Sequence, residues 1–187
     1  MRAWVRAGSR LMDIITRSSP IYYAHITGEG PLILEAATGF GFNLGLVLRR
    51  AEAVGGRVVS LDISRGAVRR AAAAYRRYIE GGILSVEVGD LRKLRYDDDV
   101  FDYAVNHTTM HHVVDDIDKV IREHYRTLKP GGKLIIIDLN PHLLSPHKPS
   151  LLRKAKEMVH RWVPRLFEVV ERGEAGRAYY IVAVKKE

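Results

Sequence analysis

The chain has 187 residues, 47% of them hydrophobic and 28% charged, which predicts one globular domain rather than a disordered chain. It contains no cysteine, which excludes disulfides, thiolate metal centres and a cysteine nucleophile. Its formal net charge of +8 suits a polyanionic partner such as RNA without fixing the fold. The sequence shows neither an apolar signal-peptide core nor a membrane-spanning run, so we expect no membrane partner and a cytoplasmic location.

Apolar runs alternate with helical patterns over the first three quarters of the chain. The predicted strands cover residues 32–34, 57–62, 83–88, 100–105 and 133–139, and the predicted helices cover residues 42–54, 64–79 and, after Asp115 or Asp116, the stretch to 128. This alternation is typical of right-handed βαβ units, which place parallel strands side by side. The strand segments lack polar alternation, as expected for strands buried on both faces.

The pattern changes after Asn140. The prolines at 141, 146 and 149 indicate a loop, residues 150–162 a basic helix ended by Pro164, and residues 167–170 and 178–184 a hairpin with a loop at 171–177. We therefore predict a single α/β domain over residues 1–187. It consists of a helical cap at 1–30, a ligand-binding core at 31–140, and the basic helix with the antiparallel hairpin at 141–187.

Glycines and aspartates follow three successive predicted strands. Gly39 and Gly41 form a turn between the first strand and the following helix, where the backbone can approach a ligand closely. Asp62 ends the second strand, where nucleoside-binding sheets hold a ribose, and Asp90 ends the third, where it could accept from an adenine amine. Together they predict an adenosine-containing ligand.

These segments resemble the motifs of class I S-adenosylmethionine-dependent methyltransferases. The matching stretches are Glu35–Gly41, Asp62, Gly89–Leu91, Phe101–Asn106 and the turn Leu128–Leu134. Ala37 stands where that family usually has its first glycine. The resemblance implies a Rossmann-like, doubly wound, mostly parallel seven-stranded sheet with a C-terminal antiparallel hairpin. It also implies S-adenosylmethionine as the cofactor.

The resemblance carries roles onto individual residues. Glu35 would orient the methionine ammonium, Asp62 would accept from both ribose hydroxyls, and Asp90 would take the adenine amino group, with the Leu91 N–H facing the ring. The remaining implied cofactor contacts are Ala37, Gly39, Phe40, Gly41, Ile63 and Asn106.

Catalytic candidates follow the fourth strand, near the transferable methyl group. His107 is the first choice for a proton acceptor and Asn106 precedes it, without the prolines of the amino-group methyltransferases. We expect His111 to be solvated and His112 to pack into the junction with the next helix. A metal site of His107, His111 and His112 lacks an acidic or cysteine ligand, so no metal is predicted.

Several alternatives stay open. A small-molecule acceptor is favoured, while the basic segment 148–165 suits an RNA-directed methyltransferase. A non-catalytic methyltransferase-like subunit is a second alternative. An NAD(P)-binding oxidoreductase is the third, for which Tyr125 and Lys129 have a suitable spacing but an unsuitable place in the chain. Residues 14–26, with Tyr22 and Tyr23, form either a lid or a helix packed on the sheet. The oligomeric state is left open.

Overall fold

The computed structural model describes residues 19–141 and 147–186, which form an α/β unit. The strands are β1 (Leu32–Ala36), β2 (Arg57–Asp62), β3 (Leu84–Val88), β4 (Phe101–His107), β5 (Leu128–Leu139), β6 (Phe167–Ala175) and β7 (Ala178–Lys185). The helices are α1 (19–25), α2 (Leu44–Ala53), α3 (Arg65–Ala74), α4 (Arg76–Glu80), α5 (Ile117–Thr127) and α6 (Pro149–Leu166). Residues 1–18 of the predicted helical cap lie outside the described residues.

The seven strands form one sheet in the order β3-β2-β1-β4-β5-β7-β6. The pairs from β3 to β5 are parallel, whereas β7 runs antiparallel to both β5 and β6. This confirms the predicted doubly wound, mostly parallel sheet with a C-terminal antiparallel hairpin. The chain winds outward from β1 to β3 and then returns to place β4 on the other side of β1. Open sheets of this kind bind ligands at the carboxyl ends of the strands beside such a reversal.

Each face of the sheet carries its own hydrophobic cluster. Helices α1, α2, α3 and α4 contribute to one cluster, while α5 and α6 contribute to the other. In α5, Ile117, Val120 and Ile121 recur at the three- and four-residue spacing that puts them on one buried face. Both sheet faces are thus covered, which explains the continuous apolar runs of the central strands. None of the described helices is long and apolar enough to cross a membrane.

Two predicted helix boundaries are wrong. The helix predicted over 64–79 begins as expected, since the Ser64 hydroxyl accepts from the Ala67 N–H at 3.3 Å, but it breaks at Tyr75 into α3 and α4. Helix α6 continues past Pro164 to Leu166 because its apolar face, which includes Val163, stays buried against the sheet.

The C-terminal hairpin also differs from the prediction. Strands β6 and β7 pair up to Ala175 and Ala178, so the connection has two residues, and Gly176 has the positive φ of 61° that such turns favour. Residues 171–175 of the predicted loop instead belong to β6, an edge strand on which charged side chains can face solvent. Likewise, the Pro130–Gly132 turn lies within β5, which begins at Leu128.

Candidate functional site

The loop between β1 and α2 has an unusual backbone. Ala37, Gly39 and Gly41 all have positive φ, at 78°, 54° and 81°. The resemblance places a glycine at position 37, and Ala37 occupies the glycine-like conformation despite its side chain. The loop follows the carboxyl end of β1, beside the reversal of strand order, where open sheets of this kind bind ligands.

Asp62 fastens this loop to the end of β2. Its Oδ2 accepts from the Gly39 N–H at 2.8 Å, and its Oδ1 accepts from the Ser64 N–H at 2.8 Å. A carboxylate offers about four lone-pair positions. Two acceptor positions therefore remain after the two backbone contacts.

Glu35 lies below the loop in a buried chain of hydroxyl groups. Its side chain is 2% exposed, and its Oε2 accepts from the Ser60 hydroxyl at 2.6 Å. Because Ser60 donates its only hydroxyl proton there, the Thr38 hydroxyl must donate to Ser60, at 2.6 Å. Burial raises the pKa of Glu35 to about 7; the Ser60 contact opposes this rise and the charge of Asp62 adds to it. The Glu35 side chain is therefore partly protonated near neutral pH.

Asn106 pairs with Ala36 across the β1–β4 boundary. It is fully buried, and its Nδ2 donates to the Ala36 carbonyl at 3.3 Å. Its Oδ1 is buried and has no hydrogen-bond partner. Because an unpaired buried acceptor is costly, this atom points to a donor that a ligand would supply.

Apolar side chains stand exposed around the loop. Phe40 is 77% exposed and Ile63 is 61% exposed, while Phe42 stacks on Phe40 with ring centroids 6.2 Å apart. Exposed apolar groups gathered at one place often mark a binding site. Two of them, Phe40 and Ile63, were predicted cofactor contacts.

Asp90 is held by Arg92, a partner that no sequence motif indicated. The Arg92 guanidinium donates to both carboxylate oxygens, with Nε 2.9 Å from Oδ1 and Nη2 2.8 Å from Oδ2, and these hydrogen bonds lower the pKa of Asp90. Arg92 also reaches Asp116, with Nη1 3.3 Å from Oδ2. Leu91 is buried below this pair. The Asp90 carboxylate would therefore have to share its acceptor positions between Arg92 and an adenine.

His107, the predicted catalytic residue, is the buried last residue of β4. Its Nδ1 lies 2.7 Å from the hydroxyl of Tyr22, on α1. Burial lowers the pKa of His107 to about 3, against the opposing charge of Asp138, so the ring is neutral at neutral pH. Tyr22 is itself fully buried, so the described part of the predicted lid is packed against the sheet.

The prediction for the next two histidines was wrong. His111 is buried, whereas His112 is exposed. The cause is Asp138 near the end of β5: its Oδ1 lies 2.6 Å from His111 Nδ1 and its Oδ2 accepts from the His111 N–H at 3.0 Å. The half-buried His147 packs against both rings. An acidic residue at the end of a strand was the signal used for Asp62, and it would also have found Asp138.

Tyr125 and Lys129, the pair considered for an oxidoreductase, lie at the other end of the sheet. Lys129 Nζ contacts Asp102 Oδ1 at 2.8 Å near the beginning of β4 and β5, and Tyr125 packs edge-on against Phe167. Both residues are thus at the amino ends of the parallel strands, away from the loop and Asp62.

Comparison with known proteins assigns the family. A sequence model described as "Methyltransferase domain" matches residues 34–136, more than half of the chain. The chain belongs to the methyltransferase domain family. The matched region contains every predicted cofactor residue of the loop and strand ends.

Relatives of this methyltransferase-family chain include proteins named for quinone methylation. It is 32% identical over 150 residues to a ubiquinone/menaquinone biosynthesis C-methyltransferase of Desulfotalea psychrophila, covering 79% of this chain and 55% of that protein. It is 28% identical over 134 residues to a 2-phytyl-1,4-naphtoquinone methyltransferase of Synechococcus elongatus, covering 72% and 55%. The chain thus spans about half the length of these curated relatives.

Solved structures share the fold. The structure of a complex between the Haloferax volcanii Trm112 methyltransferase activator and a methyltransferase has a TM-score of 0.74 at 20% identity, covering 99% of this chain and 97% of that one. A SAM-dependent methyltransferase of Aquifex aeolicus has a TM-score of 0.68 at 20% identity, covering 84% and 83%. The chain therefore shares its fold with these two proteins at low sequence identity.

Proposed function

We propose that this protein transfers a methyl group from S-adenosylmethionine to a small-molecule acceptor. The main support for this proposal is the position of Asp62 at the end of β2. Its carboxylate accepts from the Gly39 N–H in the positive-φ loop, and two of its acceptor positions remain for a ribose diol. Membership of the methyltransferase domain family also supports a methyl-transfer function.

The residues around Asp62 fit this cofactor. The positive-φ backbone at Ala37, Gly39 and Gly41 would lie against the methionine part, since no bulky side chain intervenes. The orphaned Asn106 Oδ1 would accept a hydrogen bond from it. Phe40 and Ile63 would lose exposed apolar surface on packing against the nucleoside, which favours binding.

Cofactor binding would change the protonation of Glu35. The methionine ammonium is a cation, and a cation close to a carboxylate lowers its pKa. Binding would therefore convert the partly protonated Glu35 to its charged form and release a proton near neutral pH. Thr38 and Ser60 hold the carboxylate in place for this contact.

The rate of methyl transfer depends mainly on alignment of the acceptor with the methyl group. S-adenosylmethionine supplies a methyl group that is already activated on a positively charged sulfur, so positioning of the acceptor provides much of the rate. His107, whose pKa burial lowers to about 3, would be a weak base. We assign it to the wall of the acceptor site, where Tyr22 fixes its ring, and its role as proton acceptor stays a prediction.

The acceptor class follows from the relatives and from the surface charge. The relatives named for quinone methylation support a small aromatic acceptor. An RNA acceptor is less well supported, because two lysines of the basic helix are paired: Lys154 Nζ with Asp115 at 2.6 Å and Lys156 Nζ with Glu174 at 3.3 Å. A cytoplasmic location stays a prediction.

Calorimetric titration tests the proposal. We expect S-adenosylmethionine and S-adenosylhomocysteine each to bind once per chain, and Asp62→Ala to weaken both at least about 100-fold, as expected for loss of two charge-assisted hydrogen bonds. Asp97→Ala, which removes an exposed carboxylate from a loop, is the matched control and should bind normally. Circular dichroism of both variants checks that they are folded.

Other outcomes select the alternatives. Binding of NADH but of neither sulfur nucleoside would contradict the proposal in favour of an oxidoreductase. Cofactor binding without methyl transfer to any quinol, phenol or RNA tested would favour a non-catalytic subunit. Equal binding by wild type and Asp62→Ala would show that Asp62 does not hold the cofactor, and the proposal would lose its main support.

A further inference from the structure

Three histidines converge beside the candidate acceptor site. His111 and His112 belong to a short 3-10 turn directly after β4, and His147 precedes α6. Their ring centroids lie 4.1 to 5.1 Å apart. One ring nitrogen of each lies within 4.8 Å of the others. Such convergence of three imidazoles is the donor set of many zinc sites with an open position.

Asp138 prepares His111 to be a ligand. The 2.6 Å contact between Asp138 Oδ1 and His111 Nδ1 places the proton of the neutral ring on Nδ1, so Nε2 keeps its lone pair. Asp138 is fixed in turn, because its Oδ2 accepts from the His111 N–H and its Oδ1 from the Leu139 N–H. The His111 Nε2 atom is buried and has no hydrogen-bond partner. A carboxylate that orients a histidine in this way is typical of metal-ligating histidines.

We propose that His111, His112 and His147 bind one divalent transition-metal ion, such as Zn²⁺, with Asp138 positioning His111. In a tetrahedral site with metal–nitrogen distances of about 2.0–2.1 Å, ligand nitrogens lie about 3.3 Å apart. The nitrogens here, within 4.8 Å, need only a modest inward rotation. His112 is exposed, so its ring has room to make it. Neutral imidazoles favour zinc, copper or nickel over calcium or magnesium.

The structure corrects the choice of ligands considered from sequence. His107 is directed to Tyr22 instead, at 2.7 Å from its hydroxyl. Its place is taken by His147, which is 35 positions from His112 in the chain and reaches the cluster only through the fold. The missing acidic group that argued against a metal is Asp138, which supports a ligand rather than acting as one.

The metal site would lie close to the proposed acceptor site. Asp138 directly follows Ile137, which pairs with His107 across β4 and β5, and it bonds His111, so the cluster and the predicted catalytic strand end are neighbours. An oxygen of a phenol or quinol could occupy the open position and so be fixed near the methyl donor. This consequence rests on the proposed methyl transfer, whereas the metal site itself does not.

Zinc titration of the tag-free chain tests the site. After removal of metal with a chelator and dialysis, we expect one Zn²⁺ per chain by calorimetry, and intense visible absorption with Co²⁺ from a four-coordinate site. His112→Ala and His147→Ala should each weaken Zn²⁺ binding at least about 100-fold, since each removes one of three protein ligands. Asp138→Asn should weaken it about 10- to 100-fold, because His111 loses its orienting partner.

His25→Ala is the matched control, since it removes a histidine that bonds Glu171 elsewhere on the molecule. It should leave Zn²⁺ binding unchanged. Absence of binding to the folded chain, or equal binding by wild type and the His112 and His147 variants, would overturn the proposal. S-adenosylmethionine titration of the same samples is independent: cofactor binding without Zn²⁺ binding refutes the metal site alone, and the reverse result refutes the proposed function alone.

Discussion

Ala37 holds a left-handed conformation, with φ at 78°, in which a Cβ costs about 1–2 kcal/mol relative to glycine. We predict that Ala37→Gly leaves the free energy of unfolding unchanged or raises it by up to about 1 kcal/mol. Relief of the strain offsets both the lost methyl contacts and the greater entropy of the unfolded chain. Urea unfolding followed by circular dichroism measures the change.

Ala73→Gly provides the comparison because Ala73 is exposed in α3 and has an ordinary helical backbone. There, glycine should lower the free energy of unfolding by about 0.5–1 kcal/mol. Equal destabilisation by the two substitutions would show that the backbone at position 37 is not strained. The motif resemblance marked this position as one where the family usually has glycine, but only the structure shows that the alanine adopts a left-handed conformation.

Glu35 makes stability depend on pH. Burial raises its pKa from 4.5 to about 7, so the folded chain binds a proton more tightly than the unfolded chain does. The resulting stabilisation is fully present below pH 4.5 and is lost as the pH rises through 7, a change on the order of 3 kcal/mol. Glu35→Gln removes this pH-dependent contribution to the free energy of unfolding. Its stability relative to wild type should therefore rise from pH 5 to pH 8.

Unfolding curves in urea at pH 5 and pH 8 measure this effect. Glu168→Gln, at an exposed position on β6, is the control and should keep the wild-type pH dependence. A Glu35→Gln variant whose stability follows the wild type at both pH values would mean that Glu35 titrates normally in the folded chain.

At the scale of elements, Tyr75, between α3 and α4, packs against the end of the site loop and the beginning of α2. Its hydroxyl donates to the Gly41 carbonyl at 2.7 Å, and a Cβ at Gly45 would lie 2.7 Å from that hydroxyl. We predict that Gly45→Ala lowers the free energy of unfolding by about 1–3 kcal/mol, because the tyrosine must move. Gly45 is therefore a packing glycine of α2.

The Tyr75→Phe background should reverse the sign of this substitution. Without the hydroxyl, the nearest ring atoms to a Cβ at Gly45 are at 3.5 Å, an ordinary contact. Alanine is then favoured in the helix by up to about 1 kcal/mol. The four proteins of this double-mutant cycle, unfolded in urea, give the coupling free energy directly. Additive effects would contradict the proposed clash.

These elements show which features of the chain were predictable. The strands and their parallel pairing follow from local signals, since apolar runs, glycine turns and the alternation with helices lie along the sequence, whereas the doubly wound sheet was implied by the family resemblance. The break at Tyr75 was missed because it accompanies a hydrogen bond to Gly41, 34 positions away. The burial of His111 was missed for the same reason, since Asp138 is 27 positions away. Tertiary partners decide such positions.

At the scale of the whole molecule, the excess of basic charge is partly paired. The chain carries a formal charge of +8, yet Lys154 and Lys156 on the basic helix contact carboxylates, and the guanidinium groups of Arg122 and Arg165 lie over the Trp162 ring. Such exposed pairs add little stability, but they reduce the local positive potential. A phosphate backbone would have to compete with these partners.

We therefore predict only weak, salt-sensitive RNA binding. Non-specific affinity should lie at about 1–100 µM and fall steeply between about 50 and 200 mM salt, as counterion release requires. Fluorescence anisotropy with a labelled RNA oligomer at the two salt concentrations measures it, and Lys154→Glu should leave S-adenosylmethionine binding unchanged. Submicromolar RNA binding that survives the higher salt and is lost in Lys154→Glu would contradict a small-molecule acceptor. It would mean that the carboxylate partners of the basic helix give way to phosphate.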